Sequence, residues 1–296
     1  CITYSMRELI YPYATAIIAH SKNYLETISK EYDDIRTYLP LPFKREDKSF
    51  DKPLDRKRLN LPDEKIILFS YGFMSKNRMI EEILKLIGEN EEIRKKVFYV
   101  IAGNVDDKYL DELNSIVDYY ELSENVRICG YISNEELYQY LLVADLCINL
   151  RRYSTEGVSW SVLEQLSSGK TVIALDNGFF SELPYDIMIK IRDTEDLKEK
   201  FNQILLNPSI LKDLGEKAGK YVSEKFNPDF FIDSFLSFIE NFSLEINKKK
   251  VLNRLSRDLI NLIPSVPDAI KDRLLLAISE NFIEIFLREW KIEDNN

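Results

Sequence analysis

The sequence predicts an α/β protein, a Rossmann-like parallel sheet with helices on both faces. Three observations carry this. Short, partly β-branched apolar runs alternate with segments whose apolar residues recur at helical spacing, the pattern of successive βαβ units. The nine glycines all fall between Gly72 and Gly219, several of them at the end of an apolar run, where a strand turns towards a helix beside a ligand. Between the runs 144–150 and 171–175, Val158, Ser161, Val162, Leu163 and Leu166 recur as on one face of a helix.

Residues 1–34 contain a strand-like run at 14–19 between helical patterns at 7–11 and 22–32, with His20-Ser21 directly after the strand. His20, the single histidine, reads as a strand-end residue. Residues 35–63 carry Pro40, Pro42, Pro53 and Pro62 among many charges, without periodicity, and read as an extended linker. The domain proper spans 64–226. Its expected strands are 65–71, 97–102, 126–129, 144–150, 171–175 and 187–191. Its expected helices are 79–87, 109–119, 134–142, one of about three turns beginning just after Gly157, 197–206 and 210–225. Phe226-Asn227-Pro228 then breaks the pattern, and an apolar helix over 230–242 occupies the segment 227–247. The remainder, 248–296, is a helical extension split by Pro264 and Pro267. In it Lys248, Lys249, Lys250, Arg254 and Arg257 oppose Val251, Leu255 and Leu259, which suits either a solvated face over a packed one or an anionic membrane surface.

Composition narrows the function. A length of 296 residues corresponds to about two domains, and 45% hydrophobic content suffices for a packed core. The net charge of −10 argues against a nucleic-acid surface, which needs clustered Lys and Arg. Cys1, Cys129 and Cys147 are odd in number and lack metal-ligand spacing, so they read as reduced residues of a cytoplasmic protein. No apolar run approaches the length that spans a bilayer. The chain starts at Cys1 with its first methionine at Met6, which is expected of a fragment of a longer protein.

The chemistry points to the helix after Gly157. A helix starting at the carboxyl end of a parallel strand aims unpaired N–H groups and a partial positive charge into the crevice above the sheet, a ready anion site. Glu156 stands before that helix and Glu164 two turns inside it, so the two carboxylates do not share a task. Each needs hydrogen-bond donors, and sugar hydroxyls are such donors. Gly72, Gly103, Gly130 and Glu156 all fall on this carboxyl edge. Ser168-Gly169-Lys170-Thr171 imitates the end of a Walker A loop, but a helix precedes it and a strand follows, the reverse polarity.

The stretch from Glu156 through Glu164 to Gly169 resembles the E-x7-E signature of the retaining glycosyltransferases of GT-B fold, group 1, family four. From about residue 65 to 226 the order of strands, helices and glycines looks like the C-terminal, donor-binding half of that family. The resemblance implies that 1–34 is the end, or remnant, of a second Rossmann half that binds the acceptor, and that a helix in 227–247 crosses back to it. It implies transfer of a hexosyl-type sugar from a nucleoside-diphosphate sugar, with retention. By resemblance, Glu156 is catalytic and contacts hydroxyls of the donor sugar, and Glu164 takes the ribose hydroxyls. Ser159, Trp160 and Ser161, following Gly157, supply amides to the diphosphate, although a Trp so close to a phosphate is unusual. Tyr131, in Gly130-Tyr131-Ile132, meets the base. After Gly72 the family has an Arg and, about five residues later, a Lys. Here Phe73 replaces the Arg, Arg78 stands at the Lys position and Lys76 lies nearby, so Lys76 and Arg78 are the candidate cations. Gly103 marks the neighbouring strand end. Thr171 stands where the family favours Pro.

No Asp-x-Asp triplet exists, which fits metal-independent transfer without a cofactor. The partners implied are a nucleotide sugar, the missing N-terminal half, and a glycan, lipid or protein acceptor. The implied location is the cytoplasm, with peripheral contact at the inner face of the membrane through the basic helix. A non-catalytic nucleotide-sugar-binding or partner-binding module of a larger glycosyltransferase complex is the alternative; a GT-B epimerase or phosphorylase fits the motif less well.

Overall fold

A computed structural model describes residues 10–44, 56–153 and 157–240. The compact unit Ile18–Ile239 contains the central sheet. Of a second unit, only residues 10–17, with a 3-10 turn at Tyr11–Tyr13, and Glu240 fall among the described residues.

Strands β1 (Ile17–Ala19) and β2 (Arg36–Tyr38) pair as a two-stranded ribbon around helix α1 (Lys22–Glu26). The central sheet follows: β3 (Ile66–Tyr71), β4 (Val97–Ala102), β5 (Val126–Gly130), β6 (Leu146–Ile148), β7 (Thr171–Leu175) and β8 (Ile189–Ile191). Its order is β5-β4-β3-β6-β7-β8 and every pairing is parallel. The helices are α2 (Ile80–Glu89), α3 (Glu91–Lys96), α4 (Asp107–Tyr119), α5 (Asn134–Val143), α6 (Trp160–Ser167), α7 (Phe179–Glu182), α8 (Thr194–Leu206), α9 (Ile210–Lys225) and α10 (Pro228–Glu240).

Because alternate residues of a strand face opposite ways, the sheet carries two cores. On one face Leu68, Tyr99, Ile101 and Ile173 pack with Ile83 and Leu84 of α2, Leu113 of α4 and Phe201 of α8. On the other, Phe69, Val100, Cys147 and Val172 pack with Leu141 of α5, Leu163 and Leu166 of α6 and Val222 of α9. The expected layered sheet is the observed one. Elements differ where apolar periodicity is weak. Residues 22–32 form the short α1 and a 3-10 turn, Lys30–Tyr32, rather than one helix. The run 144–150 contributes only three residues to β6, and α3 and α7 arise in stretches read as loops. Within 35–63, residues 36–44 and 56–63 are not a free spacer. Phe43 N–H donates to Phe226 O at 2.7 Å, and Arg56 pairs with both oxygens of Asp145 at 2.6 Å. The amphipathic segment 248–259 lies outside the described residues.

The ribbon is fastened to the domain by the Glu182 carboxylate and by the Asn23 amide, which donates to Gly178 O and Ser181 Oγ. Glu182 accepts from Ser21 Oγ at 2.5 Å and from the N–H groups of Lys22 at 2.9 Å and Asn23 at 2.8 Å. An acidic group at a helix start is favourable for the same reason that an anion is. His20 serves the same packing: its Nδ1 lies 2.9 Å from Leu39 O and its ring meets Phe231.

Under the sheet, the Tyr99 hydroxyl lies 2.8 Å from Ser70 Oγ, which donates to Ile148 O at 2.9 Å. Burial raises the Tyr99 phenol pKa well above its ordinary value of 10.0. Below pH 10 both folded and unfolded chains hold this proton. Above it the unfolded chain releases the proton and the folded one retains it, so stability falls as pH rises. Urea unfolding between pH 8 and 11 is expected to show a decline that is shallower in Tyr99→Phe by up to about 1.4 kcal/mol per pH unit. Equal slopes in the two proteins would refute this.

Candidate functional site

The chain runs outward from β3 through β4 to β5, then returns to the other side of β3 for β6, β7 and β8. The order therefore reverses between β3 and β6, and in open α/β sheets the crevice outside the carboxyl ends at that reversal is where ligands bind. Tyr71 and Gly72 close β3 there, and Asn149 and Arg151 follow β6.

The floor of this crevice is main chain. Gly72 N–H donates to Ala102 O at 3.0 Å, Met74 N–H to Asn104 O at 2.8 Å and Gly103 N–H to Gly130 O at 2.6 Å. A Cβ on Gly103, whose φ is +138°, would stand 1.8 Å from Gly72 O. A Cβ on Gly72 would stand 2.9 Å from Arg78 Nη2, so the missing side chain makes room for the guanidinium. Arg78 Nη1 donates to Asn149 Oδ1 at 3.2 Å.

Helix α6 begins at Trp160 and has eight residues, roughly two turns, so it starts later and is shorter than its periodicity suggests. Ser159 is its N-cap and is buried. Ser161 O accepts from Tyr71 Oη at 3.2 Å, and Ser161 Oγ accepts from Asn149 Nδ2 at 3.2 Å. Glu164 accepts from Tyr71 Oη at 2.6 Å. Burial, then the neighbouring Glu164 carboxylate, raises the Tyr71 phenol well above its ordinary range, so it stays a neutral donor to that carboxylate. Glu164 and Trp160 line a cleft of about 350 Å³ with Asn134, Leu137 and Tyr138 of α5 and with Phe43 and Lys44. The Trp160 ring, 54% exposed, lies with its centroid 4.8 Å from that of Phe43, which gives this side chain a hydrophobic seat.

The structure thus brings Arg78, Gly72, Gly103, Ser159, Trp160, Ser161 and Glu164 to one edge. Lys76 takes another contact, an exposed ion pair with Glu112 on α4 at 2.7 Å. Tyr131 follows Gly130 with its ring 75% exposed, and among the described residues no atom lies within 4 Å of where a Cβ on Gly157 would stand. Glu156 lies outside the described residues.

Sequence reasoning missed four contributors: Tyr71, Asn149, Arg151 and Phe43. Asn149, 1% exposed, is the hub, since its amide reaches Arg78, Arg151, Ser161 and Gln165. Its signal was available: a buried amide at the end of an apolar run must find partners. Asn177, after β7, donates to Arg151 O at 3.1 Å, while its buried Oδ1 has no hydrogen-bond partner among the described residues and can accept from a ligand hydroxyl or water. Among the described residues no cluster of acidic, His or Cys side chains suits a metal ion, and no helix is long and apolar enough to cross a membrane.

The family model described as glycosyl transferases group 1 matches residues 51–221, more than half of the chain, and the chain belongs to that family. It is 25% identical over 222 residues to an uncharacterized glycosyltransferase of Methanocaldococcus jannaschii, covering 73% of this chain and 55% of that protein. It is 27% identical over 208 residues to the O-antigen biosynthesis glycosyltransferase WclY of Escherichia coli, covering 69% and 51% respectively. The chain therefore spans about half the length of these curated relatives. Among solved structures, Anabaena HepE in complex with UDP superposes with a TM-score of 0.67 at 14% identity, over 79% of this chain and 65% of that one, which shows a shared GT-B fold.

Proposed function

We propose that this chain is the donor-binding half of a retaining, metal-independent glycosyltransferase and that it holds a nucleoside-diphosphate sugar at the start of α6. One observation carries the reading. At the reversal of strand order, a buried helix start with no side-chain cap lies one side chain away from a guanidinium, Arg78 through Asn149, and one from a carboxylate, Glu164 through Tyr71. Free amides and a guanidinium suit a diphosphate, and a carboxylate beside a cleft suits a sugar diol. Stabilising a departing diphosphate in this way is electrostatic catalysis by groups already in place. Glu156 is proposed as the residue that contacts the transferred sugar. UDP is the first nucleotide to try, because it is bound in the Anabaena structure, and a polysaccharide is the acceptor class suggested by WclY. A second reading is a module that binds the sugar nucleotide without turnover.

A thermal-shift panel of UDP-, GDP- and ADP-sugars tests the binding. At 100 times its dissociation constant, the right donor is expected to add about 2.7 kcal/mol, or roughly 5–10 °C in Tm. No shift with any of them refutes the donor site. Binding without release of nucleoside diphosphate to any acceptor supports the second reading.

A further inference from the structure

Ser159 sits at the N-cap of α6 with φ −92° and ψ 110°, the extended geometry in which a serine hydroxyl ordinarily accepts from an N–H of the first turn. It makes no such bond. Four other N-cap side chains on extended backbone do, while Ser75 and Asn90 do not. Ser21 accepts from Tyr24 N–H, Asp106 from Tyr109, Ser133 from Glu136 and Asp193 from Asp196. At α6 the hydroxyl is instead engaged by Arg151. This residue is 8% exposed, and its Nη2 donates to Ser159 Oγ at 3.1 Å while its Nε lies 3.4 Å from Asn149 Oδ1. Ser161 Oγ, 3.1 Å from Ser159 Oγ, accepts in turn from Asn149 Nδ2. Both hydroxyls at the helix start are turned onto an interior scaffold of Arg151 and Asn149, away from the first-turn amides.

We propose that Arg151 is a positioning residue: by holding the Ser159 hydroxyl off the start of α6, it keeps the Ser161 and Val162 N–H groups open for the phosphate oxygens of a nucleoside diphosphate. The inference deepens the donor-binding reading above and rests on it. A guanidinium suits the task because it donates only and stays charged, so the direction of the bond to Ser159 is fixed. Without it the hydroxyl is free to cap the helix, and an incoming phosphate must displace that cap. The penalty is the strength of one capping bond, about fivefold in affinity.

Calorimetric titration of the whole chain with UDP, and with GDP and ADP in parallel, tests this. Arg151→Met is expected to weaken UDP binding about fivefold. The double variant Arg151→Met/Ser159→Ala, which has no hydroxyl to cap with, is expected to bind within about twofold of Ser159→Ala alone. A double variant as weak as Arg151→Met overturns the proposal, as does an Arg151→Met that binds like wild type. If wild type binds none of the three nucleotides, the donor-binding reading fails and the proposal with it. Should Arg151→Met not fold, amide hydrogen exchange of the wild-type chain decides. The Ser161 and Val162 amides are expected to exchange freely without nucleotide and at least about tenfold more slowly with UDP; protection already present in the free chain overturns the proposal.

Discussion

Glu164→Ala is expected to weaken UDP binding by about 10- to 100-fold while leaving the chain folded. An ionised carboxylate offers about four acceptor directions, and the Tyr71 hydroxyl at 2.6 Å uses one of them. The side chain lines the cleft between α5 and α6, so its remaining capacity faces the space in which a ribose is proposed to lie. Two charge-assisted bonds to a diol account for the range, at about 1.5–3 kcal/mol each less the desolvation of both partners. The fold tolerates the change because Tyr71, 5% exposed, keeps Ser161 O as an acceptor at 3.2 Å. Tyr71→Phe serves as the control: it leaves the carboxylate but removes its tether, so the loss of affinity is expected to be smaller. Calorimetry on the three proteins measures the effect, and UDP affinity in Glu164→Ala equal to that of wild type would remove Glu164 from the site.

Gly103→Ala is expected to cost about 4 kcal/mol of stability or more, enough to leave much of the chain unfolded at 37 °C. Two penalties coincide. The φ of +138° is one that L side chains rarely adopt, and the added methyl would overlap the Gly72 carbonyl at 1.8 Å. The overlap is with backbone, so relief requires β3 and β4 to part at their carboxyl ends. Gly130→Ala is the comparison: its φ is +66° but nothing lies within 4 Å of the added carbon, so only the conformational penalty of about 1–2 kcal/mol applies. Urea unfolding of both variants gives the difference. A Gly103→Ala within about 1 kcal/mol of wild type would mean that the two strand ends do not approach as described.

The fold was legible because most of its information is local. Runs such as 66–71 and 97–102 are apolar on both faces, and only a parallel sheet covered twice buries both. Elements escaped where length defeats periodicity. α7 has four residues and α3 six, too few to repeat a pattern, and β6 ends at Ile148 although Asn149 N–H still donates to Ile173 O on β7. The site divides along the same line. Gly72, Arg78 and Glu164 could be named as candidates because each belongs to a short motif with a physical meaning. The contacts that set their geometry could not. Tyr71 and Glu164 are 93 residues apart, Arg78 and Asn149 71 apart, and which residues meet across a sheet is decided by strand order. The start of α6 shows the limit most directly. A serine before an apolar helical run ordinarily caps the helix, but here a buried arginine eight residues earlier engages the hydroxyl.

The crevice floor, where Gly72, Gly103 and Gly130 pass hydrogen bonds from strand to strand, has a consequence for descent. As long as these glycines are kept, exchange of side chains elsewhere leaves this main-chain floor in place. The side chains that rise just after those glycines, Phe73 and Tyr131, are 65% and 75% exposed and can be exchanged without disturbing the floor. A lineage can therefore alter what its members admit to the crevice while the platform beneath stays the same.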